Sequence, residues 1–563
     1  MPDSGLEVHP APGTEAGPRT LPRRAAETTR RRPDWPWLAL LWVAVTAYNI
    51  AKPFHIDDTA HLEIARWISG HPLHPMSGML NWSGTDQPIH DTNQPHLYFY
   101  LLAGWSSLLG FSEIALHSMQ ALFALACVVL FHRQAQRFCP GVALWLTAML
   151  ILCPAFVVEQ NLMVDVPLLA LWLLFFELLL LHRDSPAQTR RYLLAGLVCG
   201  AAVLTKYSSL TLVPVLAASL LLERRARQAW TLLVPVAVLA AWSAFNRWDY
   251  GGIHVVSRGD GGPSLPQSGQ FALAWLLIVG AVTPLGLLAV VQTRARLLRH
   301  ERTLYALVLA ALLALVVAVA TGHLGDRTAD RLLTAAFGLD GGLLVLCLAP
   351  AVVRLRVSRR DRGSLGGDPL VAVLVLWLLG GTAFYVLLAP FIATRHVLLV
   401  LPPVLLLFGI CLGQRLSRWA KAFALGLTIL VAAGLCVGDW QFASFYRTSA
   451  AQVAGSLPPT ATVWTSGHWG WQWYAEQHGM QQVDRGRTRF RPGDWVVIAD
   501  DARPLHRLVT RHLTLVRQVT QPEPGLSLFC TGRPARFYAS GLLGPWSLSR
   551  DCVGHLSIYR VTG

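Results

Sequence analysis

Long apolar runs separated by short polar segments make up most of this chain. Each run holds roughly 15–20 apolar residues, close to the length that an α-helix needs to cross a membrane. The pattern therefore predicts an all-α polytopic membrane protein with about 13 transmembrane helices. The runs lie near residues 35–50, 114–131, 142–158, 163–181, 192–206, 208–222, 229–245, 271–291, 303–321, 332–353, 369–389, 396–413 and 420–438.

Basic residues gather in alternate connections between these runs. Because Lys and Arg mark cytoplasmic loops, these connections are predicted to face the cytoplasm. The opposite, external side then receives a long polar loop at 51–112 and everything after residue 439. The basic loops are HRQAQR (132–137), HRDSPAQTRR (182–191), ERRARQ (223–228), QTRARLLRHER (292–302), RLRVSRRDRG (354–363) and GQRLSRWAK (413–421).

The two ends of the chain have a different pattern. Residues 1–34 are polar, proline-rich and aperiodic, which predicts a disordered cytoplasmic tail ahead of a transmembrane domain at 35–438. Residues 439–563 contain short β-prone runs between turn residues, which predict a small external α/β domain. Its two cysteines, Cys530 and Cys552, are predicted to pair if that compartment is oxidising.

The composition is that of a membrane protein, and this determines how the positive net charge is interpreted. Of the 563 residues, 53% are hydrophobic and only 14% are charged, which is outside the usual range of soluble domains. The formal net charge of +15 comes largely from the clustered Arg residues of the loops. The charge therefore indicates membrane topology, and no nucleic-acid partner is expected.

Ionisable and polar residues converge on the predicted external face. Asp165 and Lys206 lie within or between apolar runs, where a charge is costly and indicates a functional cavity; the alternative is that both snorkel to the interface. The adjacent Asp57 and Asp58 either carry chemistry or cap the next helix. The full set is Asp57, Asp58, His61, Glu63, His90, Asp91, Glu159, Gln160, Asp165, Lys206, Tyr207, Arg327, Arg331, Arg395 and His396.

Carboxylates and isolated cations on one membrane face suit transfer of a sugar from a lipid-linked phosphate. A carboxylate accepts the proton of the acceptor hydroxyl, and cations stabilise the charge on the leaving phosphate. Two other functions stay open: a transporter or flippase of lipid-linked sugars, and a membrane assembly protein. A transporter predicts internal repeats and broken, charged helices near mid-membrane, whereas the polar residues here crowd one face.

Five segments, in order, resemble the C-type glycosyltransferases, the superfamily of protein O-mannosyltransferases and aminoarabinose (lipid A) transferases. The first matches their first-loop signature, and the others match their interfacial helix, second Asp, Thr-Lys and Leu-Pro-Pro segments. They cover residues 50–215 and 395–405. The segments are DDTAHLEIARWISG, QPHLYFYLLAGWSSLLGFSEIALHSMQALFAL, LMVDVPLLALWLL, GLVCGAAVLTKYSSL and ATRHVLLVLPPVLLL.

The resemblance implies residue roles. Asp57 takes the place of the catalytic Asp, here expected to be the general base. Asp165 takes that of the second key Asp and is also expected to be catalytic, by orienting the acceptor or by stabilising positive charge on the sugar. Lys206 and Arg395 are expected to bind the donor phosphate. The expected supporting residues are Asp58, Glu63 and Tyr207.

The resemblance also implies an inverting, metal-independent transfer without a cofactor on the external face. A bacterial inner membrane is expected rather than the endoplasmic reticulum, because the chain shows no retention signal and no large luminal insertions. The implied partners are a polyprenyl-phosphate sugar and a lipid, glycan or protein acceptor. The chain departs from the family at His61, where the family has Tyr, and at Asn93 and Gln94. The side chains that could bind a divalent ion are His55, His90, Asp91 and His96.

Overall fold

The computed structural model describes residues 33–92, 94–180, 187–257, 263–360, 369–502, 512–521, 525–529, 536–538, 543–550 and 554–562. The predicted pairing of Cys530 with Cys552 lies outside these residues, as does almost all of the predicted tail at 1–34.

Helices form most of the described chain. In order they are α1 Trp35–Asn49, α2 Asp58–Gly70, α3 Ile89–Thr92, α4 Leu97–Leu109, α5 Glu113–Phe138, α6 Ala143–Ile151, α7 Pro154–Val157, α8 Asp165–Leu180, α9 Gln188–Thr205, α10 Leu212–Leu222, α11 Leu233–Asp249, α12 His254–Ser257, α13 Leu265–Val282, α14 Leu285–Thr293, α15 Ala295–Leu298, α16 Glu301–Ala320, α17 Asp326–Arg360, α18 Pro369–Leu387, α19 Leu401–Leu412, α20 Arg418–Ser456 and α21 Trp469–Gln477. Short 3₁₀ helices lie at Tyr207–Thr211, Ala226–Leu232, Thr394–Leu399 and Gly413–Arg415.

Every predicted apolar run coincides with a helix, but several are shorter than a membrane span. The run at 142–158 divides into α6 and α7 at Pro154, and the run at 271–291 divides into α13 and α14 at Pro284. Proline has no N–H for the helix ladder, so it starts a new helix at each place.

The structure confirms a polytopic helical membrane protein. Among the described residues, seven helices are long and apolar enough to cross a membrane. The predicted number of about 13 therefore depends on the shorter helices as well. The seven are Glu113–Phe138, Ala226–Asp249, Leu265–Val282, Glu301–Ala320, Asp326–Val353, Leu370–Leu387 and Arg418–Ser456.

A mixed five-stranded sheet follows the helical bundle, as the α/β prediction required. Its strands are β3 Val463–Ser466, β4 Gln481–Gln482, β5 Trp495–Ala499, β6 Leu513–Thr520 and β7 His555–Val561, after a separate hairpin of β1 Met79–Asn81 and β2 Asp86–Pro88. The order is β4-β3-β5-β7-β6, with β3 parallel to both neighbours and β7 antiparallel to both of its own.

The sheet joins the bundle through one long helix. Helix α20 has 39 residues and continues past the predicted domain boundary at 439 as far as Ser456. At about 1.5 Å per residue it is roughly 58 Å long, nearly twice the hydrocarbon thickness of a bilayer. The membrane helix and the stalk of the sheet domain are thus one element.

The two ends of the bundle differ in their contacts. At the first residue of α5, the Tyr474 hydroxyl donates to Glu113 at 2.8 Å, which places this end beside the sheet domain. At the other end of α5, Gln136 donates to Asp34 at 2.6 Å. Described residues of three predicted basic loops lie near this second end, where Arg133 pairs with Glu177 at 2.6 Å and Arg191 pairs with Glu223 at 2.8 Å.

Candidate functional site

A cavity of about 440 Å³ lies at the end of the bundle that carries the sheet domain. Its walls come from α2, the β1–β2 hairpin, the start of α8, the break after α9 and the segment after α18. The predicted site residues in its lining are Asp57, Asp165, Lys206, Tyr207 and Arg395, and the other lining residues used below are His61, Phe384, Tyr385, Leu388, Phe391 and His396.

Asp57 enters the cavity from a strained turn. The preceding residue, Ile56, has φ of 52°, a left-handed conformation that a β-branched side chain rarely adopts. Asp57 occupies the N-cap position of α2, yet its side chain makes no capping hydrogen bond. The carboxylate keeps 32% of its surface exposed. Helix capping therefore does not account for this Asp.

Asp58 stabilises that turn. Its two carboxyl oxygens accept hydrogen bonds from the backbone N–H groups of His55, at 2.9 Å, and Leu162, at 2.8 Å. The side chain is fully buried, and this burial raises the pKa of Asp58 to about 8. Asp58 thus ties the turn to the segment before α8 and points away from the cavity.

Asp165 holds two cations together at the cavity wall. The Lys206 Nζ lies 2.8 Å from Asp165 Oδ1, and the Arg395 Nε lies 3.4 Å from Asp165 Oδ2. Arg395 also reaches Asp57, with 3.5 Å between Nη2 and Oδ2. Both Asp165 and Lys206 are largely buried. Neither side chain snorkels to the surface, so their charges compensate each other inside the protein.

Two histidines that the prediction left unassigned face this cavity with opposite tautomers. His61 Nδ1 lies 2.6 Å from the carbonyl oxygen of Leu162, so Nδ1 carries the proton and Nε2 is an acceptor. His396 Nδ1 instead accepts the N–H of Ala393 at 3.1 Å, which leaves the proton on Nε2. The His396 ring stacks on Tyr385, with centroids 4.4 Å apart.

The two remaining supporting residues have different positions. Tyr207 lines the cavity, and its hydroxyl lies 2.9 Å from His254 Nδ1 and accepts from Trp242 at 3.3 Å. Glu63 does not reach the cavity. It accepts a hydrogen bond from Gln472 of α21 at 2.9 Å, and burial raises its pKa well above the ordinary value.

A second buried polar cluster lies behind Arg395. Asp439 of α20 accepts from Lys52 at 3.0 Å and from the Tyr538 hydroxyl at 2.6 Å, and it lies 2.7 Å from His55 Nε2. The backbone carbonyl of Tyr538 accepts from Arg395 at 3.2 Å. The sheet domain therefore contacts the cavity wall directly. In the sequence this cluster is indicated by Asp439, a charged residue at the end of an apolar run.

The side chains considered for a divalent ion do not converge. Within the described ranges, no group of three His, Cys, Asp or Glu side chains has the arrangement of a metal site. His55 is committed to Asp439, and the His90 ring stacks on Tyr250 with centroids 4.1 Å apart. His96 is buried against Phe99.

The bundle and its charged cavity define a multi-pass membrane protein with ionisable side chains gathered at one end. Residues 93–248 match the family model described as dolichyl-phosphate-mannose-protein mannosyltransferase, which confirms the resemblance to the C-type glycosyltransferases. The matched segment contains Asp165, Lys206 and Tyr207. A comparison with curated protein sequences found no match.

Several solved structures resemble this chain at low identity. ArnT from Cupriavidus metallidurans bound to undecaprenyl phosphate is 15% identical, with 87% of this chain and 96% of that chain covered and a TM-score of 0.39. The Archaeoglobus fulgidus oligosaccharyltransferase in complex with Zn and sulfate is 12% identical, with 83% and 68% covered and a TM-score of 0.47.

Proposed function

We propose that this protein transfers a sugar from a polyprenyl-phosphate donor to an acceptor hydroxyl, with inversion at the anomeric carbon. The observation that carries the proposal is the chain of ion pairs from Lys206 through Asp165 and Arg395 to Asp57 in one cavity. In this arrangement two cations that can bind a phosphate lie beside a carboxylate that can accept the proton of the acceptor hydroxyl. The family match, to enzymes that use a lipid-phosphate sugar, supports the same donor class.

The phosphate-binding side consists of Lys206, Arg395 and His396. Lys206 and Arg395 bring cationic side chains to the cavity, and His396 presents an Nε2–H to the same cavity. These donors stabilise the negative charge that develops on the leaving phosphate. Asp165 holds the two cations at the positions where this charge develops, which is a positioning role.

The lipid side is the apolar rim of the cavity. Leu388 and Phe391 line the cavity and yet are 60% and 41% exposed, and Phe384 lies beside them. Exposed apolar side chains at the end of membrane helix α18 face hydrocarbon rather than water. A polyprenyl chain leaves the cavity over this rim while its phosphate stays with the cations.

Asp57 is the general base. As the acceptor oxygen bonds to the anomeric carbon, the bond from that carbon to the phosphate oxygen breaks, and its electron pair goes to the phosphate. The acceptor proton passes to Asp57, the more exposed of the two carboxylates in this chain of ion pairs. Attack from the face opposite to the phosphate inverts the configuration. The donor and the acceptor both reach the cavity from the end opposite to the basic loops, which we assign to the periplasmic side of an inner membrane.

The test is transfer of radiolabelled sugar from polyprenyl-phosphate donors in proteoliposomes. We expect Asp57→Asn to lower kcat roughly 100- to 10,000-fold, the usual contribution of a positioned base. Lys206→Ala should lower transfer because the leaving phosphate loses a cation. Thermal unfolding of each variant reports whether it still folds.

Matched controls lie away from the cavity. Asp501→Asn removes a carboxylate that pairs with His555 in the sheet domain, and Lys421→Ala removes a lysine at the opposite end of the bundle. Both should transfer sugar like the wild type. Wild-type activity in Asp57→Asn would overturn the base assignment. Absence of transfer from every donor by the wild type would favour the transporter or the assembly protein.

A further inference from the structure

His61 lies one helical turn after Asp57 and on the same face of α2. The backbone N–H of His61 donates to the Asp57 carbonyl at 3.2 Å, and both side chains line the cavity. Residues four apart in a helix project in nearly the same direction. His61 therefore points to the space beside the proposed base.

The His61 ring is held in one orientation. Its Nδ1–H donates to the Leu162 carbonyl at 2.6 Å, and Phe99 and Tyr98 pack on the ring with centroids 5.0 and 6.1 Å away. Rotating the ring by 180° would replace this buried hydrogen bond by a C–H group. The Nε2 lone pair is thus fixed as an acceptor.

The surroundings of His61 keep it neutral. Burial lowers the pKa of His61 below the ordinary value of an imidazole, although Asp57 and Asp165 oppose this and Arg395 adds to it. A ring that resists protonation is a poor general base near neutral pH. It is a suitable hydrogen-bond acceptor, because its lone pair stays available.

We propose that His61 determines donor specificity, its Nε2 accepting a hydrogen bond from a hydroxyl group of the donor sugar. This inference rests on the proposed function. The sugar must occupy the cavity that the phosphate-binding cations and the base line, and His61 lines the same cavity, close enough to Asp57, Asp165 and Arg395 for their charges to act on its ring. The ligand class is a sugar that carries a free hydroxyl at the position facing α2.

Two variants separate this role from a structural one. In His61→Asn the short amide can keep the donor to Leu162 at the position of Nδ1 but lacks an acceptor at Nε2. In His61→Gln the longer amide can place an oxygen near Nε2. If His61 only supports the fold, His61→Asn should retain more transfer activity than His61→Gln. If His61 binds the sugar, His61→Gln should retain more.

The experiment compares the parent polyprenyl-phosphate sugar with its set of monodeoxy analogues in proteoliposomes. We expect the wild type to discriminate against one analogue by at least about tenfold in kcat/KM, the equivalent of one hydrogen bond. His61→Asn should lose this discrimination and use the parent as poorly as the analogue. His61→Gln should keep much of it.

The outcomes separate this inference from the proposed function. Transfer by the wild type with the same discrimination in His61→Asn would overturn the role of His61 and leave the glycosyl transfer intact. Absence of transfer by the wild type from every donor would overturn the proposed function, and the inference with it. Unfolding temperatures of both variants show whether either loss reflects misfolding.

Discussion

Glu159 is a buried carboxylic acid beside the ion pairs of the cavity. Within the part of the chain that the structure describes, neither of its carboxyl oxygens has a hydrogen-bond partner. Burial raises the pKa of Glu159 to about 8, against the opposing charge of Arg395. The folded protein therefore favours the protonated acid, whereas an unfolded chain ionises it near its ordinary pKa of about 4.3.

Replacing Glu159 with Gln tests this state through stability. Because the folded-state pKa is raised, the contribution of Glu159 is complete below about pH 4.3 and is lost as pH rises towards 8, by at most about 1.4 kcal/mol per pH unit. The melting temperature should fall less between pH 5 and 8 in Glu159→Gln than in the wild type. It can be measured with a thiol-reactive dye, which detects buried cysteines such as Cys127 and Cys153 when they become accessible on unfolding. Parallel curves for the two proteins would contradict the prediction.

The residues of the cavity were predictable to different degrees. Asp165 and Lys206 could be found because an ionisable side chain in an apolar run requires a partner. Glu63 could have been rejected, since at about 100° per residue it lies roughly 120° around α2 from Asp57, whereas His61 lies on the same face. The tautomers of His61 and His396 could not be predicted, because each depends on a backbone group of the folded chain.

Helix α17 packs closely against α13 and α14. Glycines on both sides allow it, since a Cβ on Gly341 would lie 2.2 Å from the Leu276 carbonyl oxygen and one on Gly286 would lie 1.8 Å from that of Asp340. Asp340 also accepts the N–H groups of Gly286 and Leu287, at the helix end that Pro284 creates. Small residues and a capping carboxylate thus hold a broken helix against a continuous one.

A pair of adjacent substitutions tests this contact. Gly341→Ala should lower the melting temperature, because the added methyl group forces α13 and α17 apart at a cost of about 1–3 kcal/mol. Gly342→Ala is the control, since a Cβ there meets no atom within 4 Å. Equal melting temperatures for the two variants would show that the helices are not in this close contact.

Sequence predicted the positions of the helices better than their continuity. Apolar composition located every run, whereas the breaks at Pro154 and Pro284 depend on how the chain satisfies backbone groups around a proline. The length of α20 was not predicted either, because this helix continues beyond its apolar run instead of breaking within it. The change from apolar to mixed composition at residue 439 marks the end of the predicted span, but a helix can continue across it.

At the scale of the whole molecule, the bundle and the sheet domain meet through buried charges. Lys52 and Asp439 have no exposed side-chain surface and are 3.0 Å apart, and Tyr538 adds a hydrogen bond from the sheet domain. A buried charge that loses its partner costs several kcal/mol, whereas a neutral pair in its place is tolerated.

The effects of substituting Lys52 and Asp439 on the free energy of unfolding should therefore be non-additive. Asp439→Asn leaves Lys52 charged and unpaired, and we expect a loss of about 3–5 kcal/mol in the free energy of unfolding. Lys52→Met combined with Asp439→Asn should recover much of this loss. The measurement is the melting temperature of both single variants and the double variant. A double variant as unstable as the sum of the single variants would contradict the coupling.

The contact of Tyr538 with Arg395 and Asp439 also determines when, during synthesis of the chain, the cavity becomes complete. Ribosomes add roughly 5–20 residues per second, so tens of seconds separate the synthesis of Asp57 from that of Tyr538. From the synthesis of Asp439 until Tyr538 follows 99 residues later, the membrane holds a bundle in which Arg395 lacks one of its hydrogen-bond acceptors and Asp439 one of its donors. The cavity is thus among the last parts of the molecule to mature, and a ribosome that stalls before Tyr538 leaves an incomplete site in the bilayer.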